Sequence, residues 1–241
     1  MPRLQSWIKK APRVGAFFVL ALWLAPAAAD SCTAPSATEQ VKVRYVTDGD
    51  TVILADERKI RLIGINTPEL ARDDKPAQPL AIRARDRLRQ LLFRHGNRVR
   101  LGYGEDRKDR YGRTLANLWT PDGENLGAEL LREGLGWMIA IPPNIHFLPC
   151  YQGAEQSARK AGAGVWKHPA YTVKQSRDLG LRTTGFQRVQ GRVLRVNHGG
   201  GATWINLEGR FAIRIPDADI KYFPSRPQNN WVGRILEVRG W

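Results

Sequence analysis

Between Val41 and Ile65 the chain offers three short apolar runs, "VKVRYV", "DTVIL" and "KIRLIGI", separated by an Asp-Gly pair and by "ADER". None is long enough for a stable helix, and the first alternates apolar and polar residues with the two-residue period of a half-buried strand. Strands this short, joined by turns this tight, can pair only antiparallel with their neighbours. The region is therefore a small meander, the start of a sheet that curls. Inside it, Asp48, Gly49 and Asp50 stand between Val46 and Val52. Strands disfavour Asp and Gly. A plain turn would account for them, and so would a site.

The remaining pattern is mixed. "PLAIRARDRLRQLLFRH" reads as a helix, with Leu80, Ala84, Leu88, Leu91 and Leu92 on one face. "RVRLGY" and "RTLANLWT" read as strands joined by the polar loop "GEDRKDRYG". "NLGAELLREG" is a short helix with Asn125 as its cap and Gly134 just past its end. "CYQGAEQSARKAGAGVW" is a third helix with a face of small residues. Strands first and helices interspersed after them predict an α+β domain, a mostly antiparallel barrel with helices packed on it.

Residues 1–29 stand apart. Arg3, Lys9, Lys10 and Arg13 precede the apolar run Val14–Ala25, and "PAAAD" offers an A-x-A cleavage site before Asp30. That order predicts a signal peptide and export, to the periplasm or beyond the cell. The apolar run falls short of the ~20 residues of a spanning helix, so the mature protein is expected to have no stable membrane association. An even pair of cysteines, Cys32 and Cys150, in an exported chain reads as one disulfide. The four histidines lack ligand spacing. Residues 30–171 form the first domain of this reading. The polar stretch 172–185 reads as a linker, and 186–241 as a second, all-β segment with four legible strands: "RVQGRVLRV", "ATWINLEG", "FAIRIP" and "RILEVRGW".

Charge narrows the partner. Lys and Arg number 38 against 23 Asp and Glu; loss of the four basic residues in the leader leaves a net +11. A surplus of that size favours a polyanion, nucleic acid above all, although a basic surface serving only solubility has the same composition.

Three polar stretches interrupt the first domain at strand ends or in loops, where functional side chains are displayed. They are "DGDT" at Asp48–Thr51, "RLIGINTPE" at Arg61–Glu69 and "DRYGR" at Asp109–Arg113. Each alone is more often a turn than a site. In this order and spacing, with a helix between the second and third and a leucine-rich helix and "GVW" after them, the stretch Val41–Trp166 resembles the thermonucleases, the staphylococcal-nuclease-like family.

The resemblance implies a five-stranded OB-type barrel with three helices and a Ca²⁺-dependent phosphodiesterase acting as a monomer on DNA and RNA. Such enzymes cleave the 5′ P–O bond and leave 3′-phosphate ends. Carried over by position, Asp50, Asn66 and the Thr67 carbonyl would bind Ca²⁺, and Glu69 would activate the attacking water. Arg61 and Arg113 would hold the phosphate, Arg110 and Tyr111 would face the nucleotide, and Asp48 would support the ligands from behind. The residue types suit the reaction. Calcium takes hard oxygens, an arginine fork spans two phosphate oxygens, and a carboxylate can take a proton from water.

Two positions depart from the family pattern. Asn66 stands where an Asp is usual, which removes one negative charge and predicts weaker metal binding. "GLGWMIAIPPN" lacks the tyrosines that some members place against the nucleotide. A non-catalytic nucleic-acid-binding protein with a degenerate site is the alternative, and an envelope adaptor is a more distant one. Residues 186–241 are similar to a small OB-like module appended to some bacterial members. Arg192, Arg195, Trp204, Arg210, Phe211 and Arg214 would form its basic, aromatic face, unless Trp204 and Phe211 fill the core instead.

Overall fold

The computed structural model describes residues 32–73, 75–180, 183–223 and 231–240; the leader lies outside them. The meander forms as read: β1 (Glu39–Asp48), β2 (Thr51–Leu54) and β3 (Lys59–Leu62), paired antiparallel in sequence order. After "IG" the chain leaves the barrel as a two-residue strand, β4 (Ile65–Asn66). β5 (Arg98–Lys108) and β6 (Thr114–Trp119) close a barrel in the order β1-β2-β3-β6-β5, with β5 returning to β1 and β3 lying parallel to β6. Val43, Val52, Leu54, Ile60, Leu62, Leu101 and Leu118 fill the interior, all buried. Two register shifts in β1, between Val43 and Tyr45 and between Val46 and Asp48, give the bends that bring its end round to the site.

Helix α1 (Ala81–Phe93) buries Ala81, Ala84, Leu88, Leu91 and Leu92. Leu80 is not on its face as expected. It is the residue before the helix, held in the left-handed region at φ 67°. Helix α2 (Leu126–Arg132) has the anticipated cap, the Asn125 side chain accepting from the Ala128 amide at 3.0 Å. β7 (Trp137–Met138) follows and pairs antiparallel with β4. Helix α3 (Leu148–Ala161) starts two residues before Cys150, and the Cys32–Cys150 disulfide is formed. The mixed α+β reading, with a five-stranded barrel and three α-helices among the described residues, is borne out.

The stretch read as a linker is not bare chain. It supplies β8 (Lys174–Gln175), which pairs parallel with β9 (Gln187–Gly199). β9, β10 (Ala202–Leu207), β11 (Ala212–Pro216) and β12 (Ile235–Gly240) complete a five-stranded sheet in the order β11-β10-β9-β12. The sequence reading has no strand in 172–185, because two polar residues carry no period. Gly200 and Gly201, at φ 61° and 68°, make the two-residue turn between β9 and β10. Val193, Ile205, Leu207 and Ile215 form a separate small core, with Phe211 and Trp231 packed against it.

Candidate active site

The Asp-Gly-Asp stretch is the turn between β1 and β2, and it is pressed inward. A Cβ on Gly49 would lie 2.7 Å from Ala84 Cβ on α1 and 2.8 Å from Thr67 Oγ1, closer than real atoms approach. Only glycine lets the turn touch both the helix and the "TPE" loop. Asp50 is thereby carried into the interior, 3% exposed. Its Oδ2 accepts from the Thr67 amide at 2.9 Å, its Oδ1 from Thr51 Oγ1 at 3.1 Å, and its own amide donates to Asp48 Oδ1 at 3.1 Å.

Arg61 reaches the same point from β3. Nη1 donates to the carbonyls of Leu62 and Ile65 at 2.6 and 2.8 Å, which curls the chain back on itself. Nη2 lies 3.1 Å from Asp50 Oδ2 and 3.4 Å from Asn66 Oδ1. Gly64, at φ 79°, allows the curl and leaves room for the Tyr151 ring, which a Cβ would meet at 2.2 Å. Asn66 and Thr67 are buried. Asn66 pairs with Trp137 in the β4–β7 ladder, which fixes its height in the site.

Asp48 sits behind Asp50. Burial, reinforced by the Asp50 charge and then by Glu69, raises its carboxyl to about 7. Arg72, which the sequence reading passed over, lies 3.3 Å from Asp48 Oδ2 and 3.9 Å from Glu69 Oε2 and so links the two. Glu69 itself is half exposed, its amide held by Gln78 Oε1 at 3.0 Å.

The "DRYGR" loop between β5 and β6 is wound around Asp109, another residue to which the sequence reading gave no role. One Asp109 oxygen accepts from the amides of Tyr111 and Arg113, both at 2.9 Å; the other accepts from Arg113 Nε at 2.6 Å. Burial alone would raise this carboxyl, but the Arg113 contacts outweigh it and hold it below the usual range. Gly112, at φ 77°, makes the tight return. Tyr111 projects with 68% of its surface exposed, between Arg110 at 4.8 Å and Arg113 at 5.6 Å from its ring.

An open cleft of about 990 Å³ gathers Arg61, Asn66, Glu69, Arg110, Tyr111 and Arg113 on its walls. Arg61 and Asn66 form its floor, and Asp48, Asp50 and Thr67 lie outside its lining, buried and hydrogen-bonded behind them. Ile139 and Ile141 supply an aliphatic stretch of wall where tyrosines were missed in the sequence.

A hard cation takes oxygen ligands. Among the described residues, no group of three or more His, Cys, Asp or Glu side chains is arranged to hold one. The oxygens gathered around Arg61 are those of the Asp50 carboxylate and the Asn66 carboxamide, donor types that calcium accepts. Both buried carboxylates already face a guanidinium, Asp50 that of Arg61 at 3.1 Å and Asp48 that of Arg72 at 3.3 Å.

Comparison with known proteins places this arrangement among its relatives. A family model described as staphylococcal nuclease homologue matches residues 59–168. The chain is 36% identical to a thermonuclease of Staphylococcus intermedius over 132 residues, 54% of this chain and 77% of that one. It is 36% identical to a thermonuclease of Staphylococcus hyicus over 137 residues, 55% and 79% of the two chains. Endonuclease YncB of Bacillus subtilis is 28% identical over 151 residues, 58% of this chain and 70% of the relative.

Proposed function

The chain belongs to the staphylococcal nuclease family and is a nuclease, and we propose that it works as an exported, calcium-dependent phosphodiesterase that hydrolyses DNA and RNA to 3′-phosphate products. One observation carries the reading. Asp50, Asn66, Thr67 and Arg61 form a single hydrogen-bonded group, and that group opens into the cleft that also holds Glu69 and Arg113.

In this reading the cation is held by the Asp50 carboxylate, the Asn66 carboxamide oxygen and the Thr67 carbonyl. When bound, it offsets the charge of a phosphate oxygen and that of the pentacoordinate transition state. Arg113, locked by Asp109, presents its guanidinium to the phosphate at the cleft wall. Arg61 does so from the floor. Tyr111, with Arg110, faces the adjoining nucleotide. Glu69 takes a proton from water as the oxygen attacks phosphorus, an effect typically worth about 10²–10⁴ in rate. The P–O bond to the 5′ oxygen then breaks, the leaving oxygen takes a proton from solvent water in the open cleft to become a 5′ hydroxyl, and the phosphate stays on the 3′ side. The site draws every group from one chain, in keeping with a monomer.

Export is supported by the basic-then-apolar order of residues 1–29 and by the Cys32–Cys150 disulfide, which calls for an oxidising compartment. Among the described residues no helix is long and apolar enough to cross a membrane.

Asn66 favours a second reading, a protein that binds nucleic acid without cutting it, because the floor has one charge fewer for a cation. Digestion of single-stranded DNA and RNA by the mature protein separates the two. Cleavage with calcium, lost with a chelator and in Glu69→Gln, and yielding 3′-phosphate ends, supports the enzyme. Binding with no cleavage under any metal supports the alternative.

A further inference from the structure

The C-terminal sheet has one face set apart from its small core. Cross-strand register decides which residues share that face. Trp204 lies opposite Asn197 on β9 and Arg214 on β11; Asn206 lies opposite Arg195 and Ala212. Directly opposed residues point the same way, as do residues two apart on one strand. One face of the sheet thus presents Arg195, Asn197, Trp204, Asn206, Ala212 and Arg214. The other presents Val196, Ile205, Ile213 and Ile215, which are the small core or pack against it. Trp204 does not fill the core: the residue is 38% exposed. Phe211 is the aromatic that packs on the core.

The composition of the outer face is selective. Both charged residues on it are arginines, and neither Arg195 nor Arg214 is ion-paired among the described residues, whereas Arg188, Arg192 and Arg239 of the same sheet each have a carboxylate partner. The Arg214 guanidinium lies 6.0 Å from the Trp204 ring centre. Trp204 Nε1 is already used, donating to the Gly199 carbonyl at 3.1 Å, so the indole has its edge fixed and its surface left for stacking. Residues 186–241 carry nine Lys and Arg against four Asp and Glu. An aromatic ring between guanidinium groups and carboxamides, on a surface without a carboxylate, matches the chemistry of an unpaired nucleic-acid strand. Bases stack on the ring, and phosphates meet the arginines.

We propose that this face, centred on Trp204 and flanked by Arg195 and Arg214, is a second binding site for single-stranded nucleic acid, separate from the cleavage cleft. It would hold the polymer between cuts. The proposal rests on the nuclease reading for the identity of its ligand, and it differs from that reading in the residues it needs.

The test uses the full mature protein in chelator, so that nothing is cut, with a fluorescent 20-nucleotide single strand as probe. Trp204→Ala is expected to weaken binding about 10-fold, since loss of one stacked base costs from about 5- to 150-fold. Arg195→Gln/Arg214→Gln is expected to flatten the plot of log affinity against log salt by about 0.7 for each phosphate no longer neutralised. Turnover of a minimal phosphodiester with a single scissile bond should be unchanged in both variants. Trp204→Phe should retain most of the affinity, which separates a lost stacking surface from a damaged sheet. Binding and salt slope unaltered in all these variants would overturn the proposal. So would an equal, parallel loss of binding to vesicles of anionic lipid, because the face would then be a general anion surface. If the wild type cuts nothing yet the variants lose oligonucleotide binding, the cleavage reading fails and the second site stands.

Discussion

Both carboxylate oxygens of Glu155 on α3 are held by the Arg239 guanidinium on β12, at 2.7 Å each, and Glu155 Oε1 also accepts from the Met138 amide at 2.7 Å. Met138 is in β7, which pairs with β4, the strand that carries Asn66. The last strand of the C-terminal sheet thus braces the floor of the cleft through one buried glutamate. Trp137 beside it is packed by Tyr171 and Phe186, at 4.8 and 4.9 Å between ring centres.

This brace makes Arg239→Met informative. Removing one partner of a largely buried ion pair costs about 3 kcal/mol, and the orphaned Glu155 would also hold Met138 less firmly. We predict lower stability by urea denaturation and, at temperatures where the variant is folded, a reduced kcat for cleavage. Stability lost with full activity would show that the brace does not reach the site.

Asp48 sets a pH dependence. Its carboxyl is raised from 3.8 to about 7 in the folded chain, chiefly by burial. The folded state therefore holds this proton more tightly than the unfolded state. The group's contribution is complete below about pH 4 and is lost as pH rises through about 7. In chelator, Asp48→Asn should be more stable than the wild type at pH 8, and the difference should vanish near pH 4. Glu39, Asp109 and Glu237 are shifted the other way and favour folding at higher pH, so the comparison is between the two proteins, not of either with itself. A difference independent of pH would contradict the assignment.

Gly49→Ala tests the pressed-in turn. The added carbon has no room beside Ala84 and Thr67, and an overpacked core typically costs about 1–3 kcal/mol. The displacement falls on Thr67, so calcium should bind more weakly than the stability change alone explains. Calorimetric titration of the folded variant checks it.

Asp109→Asn should lower melting modestly at neutral pH, because the Arg113 contacts favour the charged carboxylate, and lower cleavage about 10-fold or more, because Arg113 loses the group that orients it. Added to Arg113→Ala, it should cost no further activity. Additive losses in the double variant would mean that the two act separately.

The disulfide closes a separation of 118 residues. Chain-entropy arguments give about 5 kcal/mol for a loop of that size. Cys32→Ser/Cys150→Ser should lower the urea midpoint accordingly, and the native wild type should show no alkylatable thiol.

Most of the barrel was legible because its strands alternate and its turns are spelled out in glycine and aspartate. The motif residues were legible because three short stretches occur in a fixed order. What sequence did not reveal were partners made by folding. Arg72 looked like one charge in a charged loop, and Asp109 like the first letter of a loop motif. Glu155 sat among the polar residues of a helix with nothing to point to Arg239, 84 positions away. β8 was invisible because a two-residue strand has no period. Leu80 misled because its apolar character continued the helical pattern onto the residue before the helix, where the backbone is left-handed.

The most direct test of the central claim, that Asp50 and Asn66 face one cation on which cleavage depends, is a calcium titration of cleavage rate in the wild type, Asp50→Asn and Asn66→Asp. The account predicts that Asn66→Asp reaches half-maximal rate at lower calcium, by restoring a charge, and that Asp50→Asn requires far more calcium or shows no rate at all. Identical calcium dependence in all three proteins, or cleavage undiminished in chelator, would contradict it.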